Sequence, residues 1–313
     1  MPSLPNKEFR KLVPKLREKS FYKAQTPRRI SWPEYNLNQI EDAYETLQFI
    51  DKEVNKTKYL ILLNQNGRPL TNPKILAKAI LICEALNFTE RTAQGWMRII
   101  GPCVGIKKEL DDRTIGEAYG RSEVLFILKQ VFDKTKTSDG ILCGDGSGLE
   151  TTRKQNYETY KTSKEYMTSI VDSREVVQGF DISGQHENKA MHSLIKNVKG
   201  DSLRLDAGFI DRNLVKEMKE LGIKPYIFPK KNTLLDSQGN YAWTKMYLEL
   251  LRDTMQWLKE YHKRSHSESF HSAFKRKYGI VTKRNPISQL SQVTARIILH
   301  NRSRITYFNR LKK

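Results

Sequence analysis

Twice in this chain a short apolar run ends in an aspartate with a glycine one or two residues on, as ILCGDGSG at 141–148 and as SLRLDAG at 202–208. Each run reads as a short, largely buried strand, and each strand delivers an acid that an apolar core would not accept. The glycines around Asp145 (Gly144, Gly146, Gly148) suggest a backbone that comes close to a ligand. Between the two runs, Tyr166–Val171 and Val176–Ile182 read as a hairpin turning at Asp172–Ser173, and Glu187–Val198 reads as a helix. After Asp206 come a helix over 209–221, a strand Lys224–Phe228 stopped by Pro229, and a polar loop over 230–241. This order predicts a mixed sheet in which Asp145 and Asp206 end neighbouring strands and converge.

From Trp243 to about Tyr278 the spacing predicts one long helix, or two abutting. Its stripe of Trp243, Leu250, Thr254, Trp257 and Tyr261 should pack on the sheet. Farther along stand Tyr261, Arg264, Glu268 and Lys275, which on a continuous helix share an arc of roughly 60°. A carboxylate beside two cations and a phenol suits a site that holds a metal ion and a phosphate backbone together. The last helix, roughly Ile287–Phe308, carries Val293, Ile297, Ile298 and Ile305, with arginines expected outward.

The first 135 residues have a different texture. Residues 1–30 are basic and punctuated by Pro2, Pro5, Pro14 and Pro27, as in a flexible arm or a short helix laid on DNA. Residues 38–56 have helical spacing and 64–72 read as a turn. Asn72 then caps a helix with Pro73 at its first position. A break at Asn87–Phe88 and an N-cap at Thr89 lead into a second helix ending near Ile100. The pair is a helix-turn-helix candidate in which Arg91, Gln94 and Arg98 could touch DNA. Arg113–Lys134 is mostly helical again.

Charge narrows the partner. The net charge is +20, and from Tyr261 to Lys313 there are 13 Lys or Arg against one acid, Glu268. Such a surface seeks a polyanion, most simply nucleic acid. No run of 18 apolar residues offers a membrane span, and the basic N-terminus lacks the apolar stretch of a signal peptide. Three scattered cysteines without C-x-x-C fit neither a disulfide framework nor a zinc site and point to the cytosol.

Three acids stand out: Asp145, Asp206 and Glu268. Three carboxylates at one point repel unless cations neutralise them, and hard oxygen ligands select Mg2+ or Mn2+. The pieces GDGSG, LDAGFIDRNL and Y-(2)-R-(3)-E-(6)-K resemble the DDE transposases of prokaryotic insertion sequences, over about residues 138–310. RPLTNPKILAKAILICEALNFTERTAQ looks, more weakly, like the helical leader of such proteins. The resemblance implies a ribonuclease-H-like core and a metal-binding triad of Asp145, Asp206 and Glu268. It further implies Arg264 and Lys275 on phosphates at the element end, and Tyr261 packed against or hydrogen-bonded to DNA near the cut. The implied chemistry is Mg2+-dependent nicking (Mn2+ can substitute), then attack of the freed 3′-hydroxyl on target DNA. With about 60 residues between Asp206 and Glu268, a large inserted β-domain is not expected.

The same segments admit rival readings. Asp181 and Glu187 flank the hairpin end and read as surface loop. His262 and His266 have zinc-like spacing but point roughly 120–160° away from Glu268 on a helix. No G-x-x-x-x-G-K-[ST] exists, so no nucleotide cofactor is suggested. The expectation is therefore an α+β protein: a helical DNA-binding region (1–135), then a ribonuclease-H-like catalytic domain with a basic C-terminal helix (136–313). Double-stranded DNA, as terminal inverted repeats and target, is the expected partner, and a homodimer on DNA is the expected working form. The alternatives are a nuclease of the same fold without strand transfer, or a catalytically inactive DNA-binding descendant.

Overall fold

The computed structural model describes residues 6–18, 30–59, 71–152, 162–184, 186–236 and 239–312. The turn expected over 64–72 and the polar stretch after Arg153 lie largely outside them. The chain folds as two compact units whose segments interleave: 1–29, 138–147 and 166–272 form one, and 30–137, 148–165 and 273–313 the other. The boundary expected at 135/136 falls beside one of these crossings.

The first unit is built on a five-stranded sheet of order β3-β2-β1-β4-β5. Its strands are β1 (Ile141–Thr152), β2 (Thr162–Asp172), β3 (Val177–Asp181), β4 (Ser202–Leu205) and β5 (Lys224–Ile227). Strands β1, β4 and β5 are parallel, and β2 and β3 form the expected antiparallel hairpin. Tight turning at Asp172 is held by its carboxylate, which accepts from the backbone N–H groups of Arg174 and Val176, both at 2.9 Å. Helix α8 (Glu187–Ile195) lies on the sheet face where Gly144, Leu205 and Gly179 point, and its His192 joins Asp211 and Glu217 at the start and middle of α9 (Arg212–Glu220).

Helices α10 (Tyr241–Arg252) and α11 (Thr254–His262) bury the aromatic stripe that the sequence predicts. Trp257 packs on Tyr226 of β5 at 5.6 Å, and Tyr261 on Phe228 at 5.3 Å between ring centres. Where one long helix or two abutting were expected there are three, the first break falling at Asp253, whose carboxylate caps α11 by accepting from Gln256 N–H.

Of the basic N-terminal stretch residues 6–18 are described, and they take the short-helix alternative rather than the flexible arm. Helix α1 (Asn6–Lys15) docks within the sheet unit, with Phe9, Val13 and Leu16 buried and Phe9 set against Tyr247 at 5.4 Å. Positions 9, 13 and 16 are an i, i+4, i+7 apolar stripe that its lysines and prolines obscured.

The second unit is helical. Helix α4 (Pro73–Leu86) runs through its middle and is buried on every side, which explains its continuous apolar sequence. Around it lie α2 (Trp32–Ile40), α3 (Asp42–Asn55), α5 (Glu90–Ile100), α6 (Asp112–Ala118), α7 (Ser122–Lys134) and α13 (Pro286–Arg310). Asn72 caps α4 as predicted, Asn87 takes a left-handed conformation (φ 52°) at the break, and Thr89 caps α5. The arginines of α13 do not all face outward. Arg296 is buried against Glu84 at 2.6 Å, and Arg302 is buried against Asp42 and Glu45. Apolar spacing alone could not reveal that acids on α3 and α4 meet them.

Candidate active site

The parallel register fixes the first half of the site. Cys143 of β1 pairs with Arg204 of β4, the last pair of that register, and two residues on along each chain stand Asp145 and Asp206. Side chains alternate along β1, so Cys143 and Asp145 face one way with Arg204 and Asp206, while Gly144 and Gly146 face the other. The prediction that Asp145 ends its strand needs correction. β1 continues to Thr152; it is the pairing with β4 that stops before Asp145. Asp206 does stand just beyond its strand, opening a short 3-10 turn at Ala207–Phe209.

The glycines also serve a different end from the one expected. A Cβ on Gly144 would sit 2.6 Å from Leu205 and 2.8 Å from Met191 of α8, and one on Gly146 would collide with the Glu187 carboxyl. These two positions let α8 close onto the back of the strand. Glu187 thus lies across the strand from Asp145, and Asp181 accepts from Ser183 in a surface turn.

The second half of the site hangs on the turn between α11 and α12 (Ser265–Tyr278). Tyr261 is in α11, Arg264 in the turn and Glu268 in the first turn of α12, so the four signature residues do not share one continuous helix. The reason is tertiary. The Glu260 carbonyl accepts from Arg204 Nε (2.9 Å) and the Lys263 carbonyl from the Cys143 thiol (3.1 Å). Backbone bonds there shorten to the i→i+3 type, from Arg264 N–H to Tyr261 and from Ser267 N–H to Arg264. Burial pushes the Cys143 thiol up to about 12, so it remains a donor.

This turn sets Arg264 over the acids. Its guanidinium lies 3.9 Å from the Asp145 carboxylate and donates to Glu268. Burial pushes Asp145 up to about 6; Arg264 and the Gly146 N–H (3.0 Å) pull it down, and the Glu268 and Asp206 charges push it further up. Arg264 is in turn held charged: burial opposes this, but Tyr261, Glu268, Asp206 and Asp145 outweigh it. The three predicted acids therefore form one electrostatic group around one arginine. Asp206 and Glu268 are exposed, and Asp145 and Arg264 are half-buried.

Other predicted residues are placed differently. The Tyr261 ring is inside the core, stacked on Trp257 at 5.5 Å, so only its hydroxyl edge, beside Arg264, is near the acids. Lys275 is exposed, seven residues on from Glu268 in α12. In the helical unit Arg91 lies 3.6 Å from Asp112, Arg98 donates to Glu109 at 3.0 Å, and Gln94 accepts from Asp112 N–H at 3.0 Å. Both arginines are exposed on α5. His271, three residues on from Glu268, lies buried with Nε2 3.2 Å from Ser169 Oγ.

Among the described residues no three His, Cys, Asp or Glu side chains already form a closed metal cage. The donor set still fits a hard divalent cation: three carboxylates, all oxygen, with mutual repulsion that Arg264 offsets only in part. The sequence reading missed Arg204 and Glu260. Its available signal was an arginine inside the apolar run SLRL, two residues before Asp206.

Residues 136–304 match the family described as the transposase DDE domain. A probable transposase for insertion sequence element ISA1214, from Archaeoglobus fulgidus, is 24% identical over 212 residues, covering 64% of each chain. The chain thus spans about two thirds or less of that relative's length. No solved structure matches. With the family's match covering more than half of its length, the chain belongs to the transposase DDE domain family.

Proposed function

We propose that this protein is the transposase of an insertion sequence, cleaving DNA strands at element ends and joining the freed 3′-hydroxyl to target DNA. The observation that carries the reading is the parallel register that sets Asp145 and Asp206 each two residues past its last pair, beneath the turn bearing Arg264 and Glu268. The sheet order β3-β2-β1-β4-β5, with a hairpin on one side and parallel strands on the other, supports a ribonuclease-H-like core.

Asp145, Asp206 and Glu268 would hold Mg2+, or Mn2+ in its place. When bound, such ions polarise a water or 3′-hydroxyl and stabilise the leaving oxygen of an in-line displacement. The chain's own residues do the rest. Asp145, fixed on a sheet strand, presents its carboxylate where burial and two neighbouring acids favour uptake of positive charge. Arg264 neutralises part of that repulsion and offers a planar guanidinium to a phosphate. Tyr261, locked by Trp257 and Phe228, orients Arg264, and Lys275 offers a second cation farther along α12. Arg91 and Arg98 on α5, after the Asn87 turn, are the DNA contacts proposed for the helical unit. The +20 net charge favours double-stranded DNA, with binding that weakens steeply as salt rises. Bringing two element ends together calls for a homodimer on DNA. Among the described residues no helix is long and apolar enough to cross a membrane, and we place the protein in the cytoplasm on DNA.

The test uses purified protein, Mg2+ and a labelled duplex taken from the DNA flanking the gene, with Asp206→Asn alongside. Metal-dependent nicking at one position and joining to a second DNA, both lost in the variant, are expected. Nicking without joining would make the protein a nuclease. Salt-sensitive binding with no cleavage, equal in the variant, would refute the catalytic reading.

A further inference from the structure

Among the described residues Arg204 is the largest fully buried side chain, and it sits on the site's face of the sheet two residues before Asp206. Its five hydrogen bonds occupy all of its nitrogens. Nε donates to the Glu260 carbonyl (2.9 Å) and Nη2 to the Glu260 carboxylate (2.7 Å). Nη1 donates to Ser202 Oγ (2.8 Å), Ser202 O (3.3 Å) and Leu142 O (3.5 Å). The guanidinium also lies over the Tyr226 ring at 5.0 Å. Glu260 is held on its other side by Lys263 at 2.8 and 2.9 Å.

A buried ion pair of this kind seldom adds stability over apolar side chains of similar volume, so stability does not account for it. Its position does. One end is tied through Ser202 and Leu142 to β4 and β1, the strands that carry Asp206 and Asp145. The other end grips α11 at Glu260, four residues before Arg264 and eight before Glu268. The planar fork of Nε and Nη2 takes the Glu260 main-chain carbonyl and its carboxylate together, a two-point grip that fixes direction as well as distance. We infer that Arg204 and Glu260 are positioning residues that lock the α11–α12 turn to the two aspartate strands, setting the distance of Arg264 and Glu268 from Asp145 and Asp206. Neither touches the acids or DNA. Their effect passes through the Glu260 carbonyl, which Arg204 shares with the Lys263 N–H (3.3 Å), and through the neighbouring Cys143 contact to Lys263.

The inference rests on the proposed function, and the experiment separates the two. The main variant is Arg204→Met/Glu260→Met, which replaces the pair by apolar side chains of similar reach. It is measured beside wild type and Asp206→Asn for urea stability, DNA affinity, Mn2+-induced rise in melting temperature, and nicking rate. Stability and DNA affinity are expected to stay at wild-type values. The Mn2+ needed for half of the melting-temperature rise should increase about tenfold, and nicking should fall about 10- to 100-fold, as misplacement of a site by about 1 Å does. Arg204→Lys keeps the charge but loses the fork, and should fall between wild type and the double variant on both readouts.

A stable double variant with wild-type Mn2+ requirement and nicking rate would overturn the inference while leaving the function standing. Wild type that neither nicks nor gains stability from Mn2+ would refute the function itself. If the double variant does not fold, Arg204→Lys decides: a raised Mn2+ requirement supports the positioning role, and wild-type behaviour refutes it.

Discussion

Glu84 offers the sharpest test of how the helical unit is held together. Its carboxylate is buried in α4 and accepts from Tyr119 OH (2.7 Å), Gln292 Nε2 (3.0 Å) and Arg296 Nε (2.6 Å). Replacing it with leucine keeps the volume but removes all three acceptors. Gln292 retains Thr282 as a partner at 3.1 Å, and Arg296 is left with the Ile280 carbonyl (3.1 Å) and the Tyr278 ring (5.8 Å), neither of them an anion. A guanidinium left in the interior without its carboxylate costs about 3–5 kcal/mol. Urea denaturation followed by tryptophan fluorescence, with Trp32 and Trp96 as the reporters in this unit, should show it. At about 2–3 kcal/mol per molar of urea the midpoint should move down by roughly 1–2 M. Glu84→Leu/Arg296→Leu should recover most of the loss, because an apolar pair of similar volume can replace a buried ion pair at little cost. A single variant within about 1 kcal/mol of wild type, or a double variant worse than the sum of its parts, would refute the argument.

Two further outcomes follow from the sheet unit. Burial would lower His192, but its hydrogen bonds to Glu217 (2.9 Å) and Asp211 (3.2 Å) overcome that and hold its proton. With the folded value above the unfolded one of about 6.5, the contribution is complete below pH ~6.5 and fades as pH rises through the folded value. The stability margin of wild type over His192→Gln in urea melts should therefore shrink from pH 6 toward alkaline pH; a margin that grew would contradict the geometry. Gly144→Val should destabilise by about 1–3 kcal/mol, since its side chain meets Leu205 and Met191. An unchanged stability with lost activity would instead restore the ligand-approach reading of these glycines.

Much of the site could be read before any coordinates. Asp145 and Asp206 were marked by short apolar runs ending in acid and glycine, and Glu268 was the lone acid of a strongly basic segment. Caps at Asn72 and Thr89 were legible because capping is local: the hydroxyl or amide and the N–H groups it serves lie within three residues. The aromatic stripe on α10 and α11 was legible for the same reason, since helical spacing alone decides which side chains share a face.

What the sequence could not contain was anything decided by a partner far along the chain. The helix break at Lys263–Arg264 has no breaker residue; there the Glu260 and Lys263 carbonyls keep only i+3 backbone partners and are also bound by Arg204 and Cys143, 56 and 120 residues away. Register, not proximity in sequence, sets Asp145 and Asp206 each two residues past one strand pair. The inward turn of Arg296 and Arg302 required acids supplied by α3 and α4. Local pattern determined the elements and named the acids, because those signals act over one or two helical turns. The tertiary structure alone decided their approach, because buried charge and parallel pairing are settled between segments that meet only when the chain has folded.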